Sequence, residues 1–190
     1  MRSFILGIIV TIVVAFVAGI VIAQFGLMPT NADATPPAFE TRIAANALDA
    51  SMDRHAPRVT NPLPASDQSL IEGMQIYSMN CAVCHGTLDY KPSMLQHSMY
   101  PPPPQIILEP LDDPEWHLYY AIRTGVRYTG MPAWNKALSD QDIWKVTAFL
   151  SRLEKLPPAV QEKWKKVYGT SPESHQGEEH EHHGGHEHHD

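Results

Sequence analysis

The stretch NCAVCHG, residues 80–86, decides the fold, since it holds both cysteines of the chain, Cys81 and Cys84, followed at once by His85. Three kinds of site use two thiols at this spacing: a redox dithiol, half of a zinc site and a covalent haem attachment site. A redox dithiol belongs to an alternating strand and helix pattern, which the sequence lacks. A structural zinc site takes four protein ligands, and the folded part of the chain has no second cysteine pair.

Covalent haem attachment needs only the residues of this stretch. The thiols of Cys81 and Cys84 add to the two vinyl groups of haem, and a ring nitrogen of His85 reaches the iron. The motif therefore predicts one covalently bound haem c that has His85 as an axial ligand.

An apolar run over residues 4–23 contains no charged residue. At about 1.5 Å per residue it spans the roughly 30 Å hydrocarbon core of a bilayer, which predicts a transmembrane anchor over residues 1–25. Arg2 precedes the run and the next basic residue is Arg42, so this charge bias predicts a single pass with the remainder of the chain on the periplasmic or extracytoplasmic side. A cleaved signal peptide is the alternative, because small residues close the run.

The next segment, residues 26–65, is rich in proline and alanine and is typical of a linker. Within it, FETRIAANALDA at residues 39–50 has a modest apolar face at helical spacing, which indicates a short helix. A loosely ordered spacer is the alternative interpretation of the same stretch.

Three helices are predicted within residues 66–157. The first begins at Ser66, a favourable N-cap, and delivers the haem motif; the others occupy residues 113–125 and 139–156. Between the first and second helices, four consecutive prolines at residues 101–104 indicate a rigid extended segment. The fold class is therefore predicted to be all-α.

The second axial ligand of the iron has several candidates, namely Met94, Met99, Met131, His97 and His117. Those before residue 100 follow His85 so soon that reaching the opposite haem face requires a very tight excursion. His117 falls within a predicted helix, where a lone histidine is typical of core or surface. Met131 lies in a loop, RYTGMPAW, in which Gly130 allows close backbone approach and Pro132 adds stiffness, and this favours Met131.

Four features occur together over residues 66–157: GMQIYSMNCAVCHG in the first helix, a proline-containing segment, a TGMPAW loop and IWKVTAFL in the last helix. In these features the sequence resembles the class I mono-haem c-type cytochromes. The resemblance implies a small all-α domain around one haem, preceded here by a single transmembrane helix.

The resemblance also implies roles for individual residues. It gives thioethers at Cys81 and Cys84, and His85 and Met131 as the axial ligands. A proline carbonyl accepts the Nδ1 proton of the axial histidine, a role that Pro104 fits best and Pro103 next. Further expected contacts are those of Gly73 and Tyr77 with the Trp144–Leu150 helix face, and of Tyr77 and Trp134 with the haem.

Residues 158–173 are predicted to be an exposed C-terminal extension. Lys163, Lys165 and Lys166 surround Trp164, which is typical of an exposed helix. Contact with a membrane surface or an acidic partner is the alternative.

The tail, residues 174–190, contains seven of the eleven histidines and five acidic residues. Because it lacks apolar residues, it is predicted to be disordered. Clustered imidazoles beside carboxylates bind nickel, copper or zinc; the predicted ligands are His180, His182, His183, His186, His188 and His189. A solvating tail and an engineered tag are the alternatives.

These features predict a membrane-anchored electron-transfer protein that passes single electrons between periplasmic or membrane redox partners, either alone or as a subunit of a larger oxidoreductase. The formal net charge of −7 and the lack of a basic stretch exclude nucleic acid as a partner. Two alternatives stay open: a haem enzyme whose open distal site handles peroxide or a small gas, and a metal-binding protein that acts through the tail.

Overall fold

The computed structural model describes residues 1–170, which contain helices and no β-strand. The chain divides into two compact units, Met1–Thr35 and a second that begins at Pro36. The predicted all-α fold is confirmed. The helices are α1 (Arg2–Gln24), α2 (Ala38–His55), α3 (Asp67–Asn80), α4 (Ala82–His85), α5 (Glu115–Thr124), α6 (Asp140–Leu150) and α7 (Pro158–Tyr168).

The first unit contains α1, which has 23 residues and a mean hydropathy of 3.2 over its most apolar window. None of its side chains is buried within the protein. By length and composition α1 is a candidate membrane span, and a signal sequence would have the same properties.

In the second unit, α3 and α6 both begin at serine N-caps. The hydroxyl oxygen of Ser66 accepts a hydrogen bond from the backbone N–H of Ser69 at 3.2 Å. Ser139 does the same for the N–H of Asp142 at 3.1 Å, and its own hydroxyl donates to the Asp142 carboxylate at 2.7 Å. The caps satisfy backbone N–H groups that have no partner within the helix.

The core of the second unit is the packing of α3 against α6. Tyr77 and Phe149 are fully buried there, with ring centroids 6.0 Å apart. Gly73 lets the two backbones approach, because a Cβ at this position would lie 2.2 Å from the carbonyl oxygen of Lys145. The expected contact of Gly73 and Tyr77 with this face of α6 is present.

Gly73→Ala is expected to lower the free energy of unfolding of the haem-loaded protein by about 3 kcal/mol, since the added methyl forces two packed backbones apart. Alanine's helix propensity returns only about 1 kcal/mol. Denaturant unfolding followed by circular dichroism measures the change, with Met79→Ala on the exposed side of α3 as the control. Equal stabilities of the two variants would contradict this close approach of α3 and α6.

Helix α6 ends at Leu150, before the end at residue 156 that the pattern predicts, and a short 3₁₀ turn over Leu153–Lys155 follows. At this end the guanidinium of Arg152 donates to the carbonyl oxygen of Ala148 and to the carboxylate of Glu115, each at 3.1 Å. The side chain thus takes a carbonyl that the next helical turn would otherwise use.

The linker predicted over residues 26–65 contains α2, an 18-residue helix that covers the short helix predicted at residues 39–50, and the second compact unit begins at Pro36. Polar side chains tie this segment to the core. Asn61 donates to the carboxylate of Glu115 and to the carbonyl oxygen of Trp144, each at 3.2 Å. Asn61 lies after the end of α2, and α2 itself buries no side chain. No apolar stripe in the sequence therefore indicates that this segment is attached to the core.

The exposed extension predicted over residues 158–173 is wrong for its helix. Val160 and Trp164 of α7 are fully buried, and the indole N–H of Trp164 donates to the carbonyl oxygen of Leu88 at 2.7 Å. Lys165 and Lys166 are exposed, as predicted. The tail and its histidines lie outside the described residues.

Candidate functional site

The NCAVCHG stretch lies where α3 gives way to the short helix α4. Cys81 joins the two helices and is buried, Cys84 is half-buried, and both thiols are free. Gly86 follows with a φ of 91°, a left-handed conformation that favours glycine. The turn thus presents two free thiols and an imidazole within five residues.

Tyr77 fastens this turn to the core. Its hydroxyl lies 2.8 Å from the carbonyl oxygen of His85 and 2.8 Å from that of Gly86, so it donates to the backbone just where the turn leaves α4. Burial raises the pKa of the Tyr77 phenol far above its ordinary value, which keeps the hydroxyl protonated as a donor.

The His85 ring is oriented by the proline run. Its Nδ1 lies 2.8 Å from the carbonyl oxygen of Pro104. Since a carbonyl only accepts, Nδ1 carries the proton and Nε2 is left with a free lone pair. Burial lowers the pKa of His85 and the Pro104 carbonyl partly opposes this. The ring is therefore neutral, the form in which imidazole binds a metal.

Burial raises the pKa of the Cys81 thiol to about 12, and the neighbouring Cys84 acts in the same direction. A neutral buried thiol is a poor nucleophile. Cys81 therefore stays a neutral thiol, which is not the thiolate that a redox-active dithiol uses.

Gln105 was missed by the sequence reasoning. Its buried side-chain amide donates to the carbonyl oxygen of Cys84 at 3.1 Å and to that of Pro103 at 2.8 Å, while its oxygen accepts from the N–H of Ser93 at 2.7 Å. It thus joins the cysteine turn to the proline run that orients His85. Its position directly after four prolines was the one available signal.

The loop from Gly125 to Met131 is closed by its own backbone. The N–H of Val126 donates to the carbonyl oxygen of Met131 at 3.2 Å, and the hydroxyl of Thr129 accepts from the N–H of Met131 at 3.0 Å. Gly125 has a φ of 69°, and a Cβ there would lie 2.7 Å from the carbonyl oxygen of Met131. The loop can adopt this closure because Gly125 has no side chain.

Met131 and Trp134 lie on this loop, or directly after it, and both are half-buried against the core. Trp134 begins a 3₁₀ turn that ends at Lys136. The structure thus brings His85, Tyr77 and Pro104 into direct hydrogen-bonded contact, whereas Met131 and Trp134 belong to a separate loop.

The other candidate ligands lie in different surroundings. Met94 is 95% exposed and His97 is exposed. His117 is buried, with Nδ1 3.3 Å from the Asp113 carboxylate and Nε2 3.2 Å from that of Asp53, the latter without the alignment of a hydrogen bond. This arrangement fits a histidine that holds α2 and α5 together.

Met99 lies beside the Met131 loop although it follows His85 by only 14 positions. The terminal methyl of Met99 would lie 1.8 Å from a Cβ placed on Gly130. The chain turns sharply enough between Cys84 and Met99 because the buried amide of Gln105 and the hydroxyl of Ser93 bind its backbone.

The donor set around the cysteine turn and the Met131 loop matches the ligands that haem requires. The protein offers two free thiols, an imidazole with an unprotonated Nε2, and a half-buried thioether on a separate loop. Within residues 1–170 no three His, Cys, Asp or Glu side chains cluster as ligands of a free metal ion. Nitrogen and soft sulfur donors with two spare thiols fit a covalently attached haem.

Comparison with known proteins bears on the same segment. Residues 68–150 match the family model described as cytochrome C oxidase, cbb3-type, subunit III. No curated protein and no solved structure matches the chain. The match begins within α3, ends at the last residue of α6, and contains the cysteine turn, the proline run and the Met131 loop.

Proposed function

We propose that this chain, whose residues 68–150 form a c-type cytochrome domain that binds haem c covalently, is a one-electron carrier held to a membrane by α1. One haem is attached through Cys81 and Cys84, with His85 and Met131 as its axial ligands. When bound, haem c supplies a ferric–ferrous couple that takes up and releases one electron.

The observation that carries this proposal is the hydrogen bond between Nδ1 of His85 and the carbonyl oxygen of Pro104. It leaves Nε2 as the metal-binding nitrogen of an imidazole placed one residue after Cys84. Such an outer partner fixes the ring and increases its basicity. A histidine that served only to pack the core would not need its second nitrogen kept free.

Met131 supports a carrier of high reduction potential. A thioether is a soft, neutral ligand that favours ferrous over ferric iron. Partial burial of its loop acts in the same direction, because a low dielectric disfavours the more highly charged ferric state. The contact of Pro104 with His85 opposes this trend in part. With both axial positions filled by protein, no position is left for a substrate.

Membrane attachment and the partners follow from the rest of the chain. The candidate span α1 precedes the haem domain, and the position of Arg2 favours a periplasmic location for that domain. Since the matched family is described as an oxidase subunit, we propose that the electron donor or acceptor is a larger membrane oxidoreductase.

The histidine-rich tail adds a second binding function to this proposal. His180, His182, His183, His186, His188 and His189 are expected to take up nickel, copper or zinc.

Carbon monoxide binding to the reduced protein tests the carrier against an enzyme with an open iron. We expect slow and incomplete binding, because carbon monoxide must displace Met131. Stopped-flow absorption of the dithionite-reduced full chain measures the rate.

The matched control is Met131→Ala, in which carbon monoxide should bind at least about tenfold faster, the factor that corresponds to a barrier lower by about 1.4 kcal/mol. If the unaltered protein binds as fast as this variant, the distal position is open. The proposal of a carrier would then give way to a gas-reactive or peroxide-reactive haem protein.

A further inference from the structure

Met99 and Gly130 are in contact although 31 positions separate them in the sequence. A Cβ placed on Gly130 would lie 1.8 Å from the terminal methyl of Met99 and 3.6 Å from its sulfur. The Met99 methyl therefore fills the space that a side chain at position 130 would occupy. Gly130 directly precedes Met131.

The backbone of Gly130 does not itself require glycine. Left-handed glycines occur at Gly26, Gly86, Gly125 and Gly169, and Gly130 is not among them. A side chain at position 130 would therefore meet the flexible end of Met99 and neither a backbone atom nor a strained φ.

Met99 also differs from its neighbouring methionine. Met94, five residues earlier, is 95% exposed, whereas Met99 is half-buried against the ligand loop. The segment that carries Met99 continues into the proline run, where Pro104 accepts the Nδ1 proton of His85. One stretch of chain thus touches both the proposed proximal ligand and the loop of the proposed distal ligand.

We infer that Met99 is a positioning residue for Met131: its methyl, seated on Gly130, holds the 125–131 loop in the closed position from which Met131 binds the iron. This inference rests on the proposed function, since it presumes that Met131 is the distal ligand. Its physical basis is packing, because a filled contact must be broken before the loop can open.

Imidazole binding to the ferric full-length holoprotein tests the inference, because imidazole binds the iron only when Met131 has left it. Met99→Ala should tighten apparent imidazole binding about tenfold and weaken the absorption band of methionine sulfur bound to ferric iron. Met99→Leu keeps the volume without the sulfur, and its affinity should stay within about twofold of the parent. Met94→Ala, at an exposed methionine, should leave both readouts unchanged.

Gly130→Ala tests the contact between Met99 and Gly130 from its other side. Its methyl should push the flexible end of Met99 off the loop and reproduce the Met99→Ala affinity, and the double variant should bind imidazole no more tightly than either single variant. Additive effects in the double variant would show that the two residues act separately and would overturn the inference.

Two further outcomes would overturn the positioning role. If Met99→Ala leaves the imidazole affinity unchanged, the contact with Gly130 does not hold the loop. If Met99→Leu tightens imidazole binding as much as Met99→Ala does, the effect depends on the sulfur of Met99 and not on the volume of its side chain. Failure of the proposed function is recognised separately: the unaltered ferric protein would then lack the methionine–iron absorption band before any variant is made.

Discussion

Replacing Cys81 and Cys84 together with alanine is expected to abolish covalent haem entirely. Both thiols are free, and the two attachment bonds use both of them. Haem staining after denaturing electrophoresis of the full chain, produced with the haem-attachment machinery, measures the loss. The variant protein should still be present on the same gel by antibody detection.

The single variants and a neighbouring control sharpen this experiment. Cys81→Ala and Cys84→Ala each leave one thiol, so a reduced but detectable stain is expected from either. Met79→Ala, on the exposed side of α3 two residues before Cys81, should stain as strongly as the parent. Haem staining that persists in the double cysteine variant would contradict the assignment of these thiols as attachment points.

Elements of the fold could be predicted from the sequence where the interacting residues lie close together along the chain. Ser66 and Ser139 start their helices because a serine hydroxyl satisfies an N–H a few residues away, and this interaction is visible in a short window. The cysteine turn with its following histidine and glycine is local in the same sense. These elements were predicted because their partners lie within about one helical turn.

The features that the sequence did not predict, such as the burial of α7, share one physical reason. In each case the residue that makes the stabilising contact lies far away along the chain. Trp164 is buried because its indole N–H bonds the carbonyl of Leu88, 76 positions earlier, while exposed lysines beside it give the helix a surface-like composition. Asn61 attaches the segment that follows α2 through Trp144, 83 positions later. Neither contact produces a hydrophobic periodicity in the sequence around Trp164 or Asn61.

The same distinction separates the parts of the haem site. The motif residues Cys81, Cys84 and His85 can be read from seven consecutive letters. The Pro104 contact came from the family resemblance, and Gln105, buried directly beside it, came only from the structure. The approach of Met99 to the Met131 loop depends on the side-chain bonds of Gln105 and Ser93 that tighten the turn, and no local pattern in the sequence shows those bonds.

Met131→Ala is expected to lower the reduction potential by on the order of 0.2 V, a fraction of the range of about 0.8 V that axial ligands produce. Haem should stay attached, because Cys81, Cys84 and His85 are untouched. The reason for the fall is that water takes the place of the thioether, and a harder ligand stabilises ferric iron. Spectroelectrochemical titration of the full chain measures the potential, and peroxidase-like activity should appear with the opened site.

Met131→His distinguishes the effect of ligand type on the reduction potential from the effect of an open iron site on peroxidase-like activity. Histidine restores a sixth ligand, so the potential should again lie below that of the parent, because imidazole stabilises ferric iron better than a thioether does. Peroxidase-like activity should stay absent, since no position is open. A variant that lowers the potential without gaining activity would show that the two effects have different causes.

The controls are Met94→Ala and Met99→Ala, and the structure gives them different expectations. Met94 is exposed, so its removal should leave the potential unchanged. Met99 contacts Gly130, so its removal should loosen the Met131 loop while Met131 remains the principal ligand and the potential stays closer to the parent's than to that of Met131→Ala. If instead Met131→Ala keeps the parent potential and Met99→Ala loses it, the distal ligand is Met99. The contact at Gly130 would then place that sulfur beside the iron, and Met131 would be the packing residue.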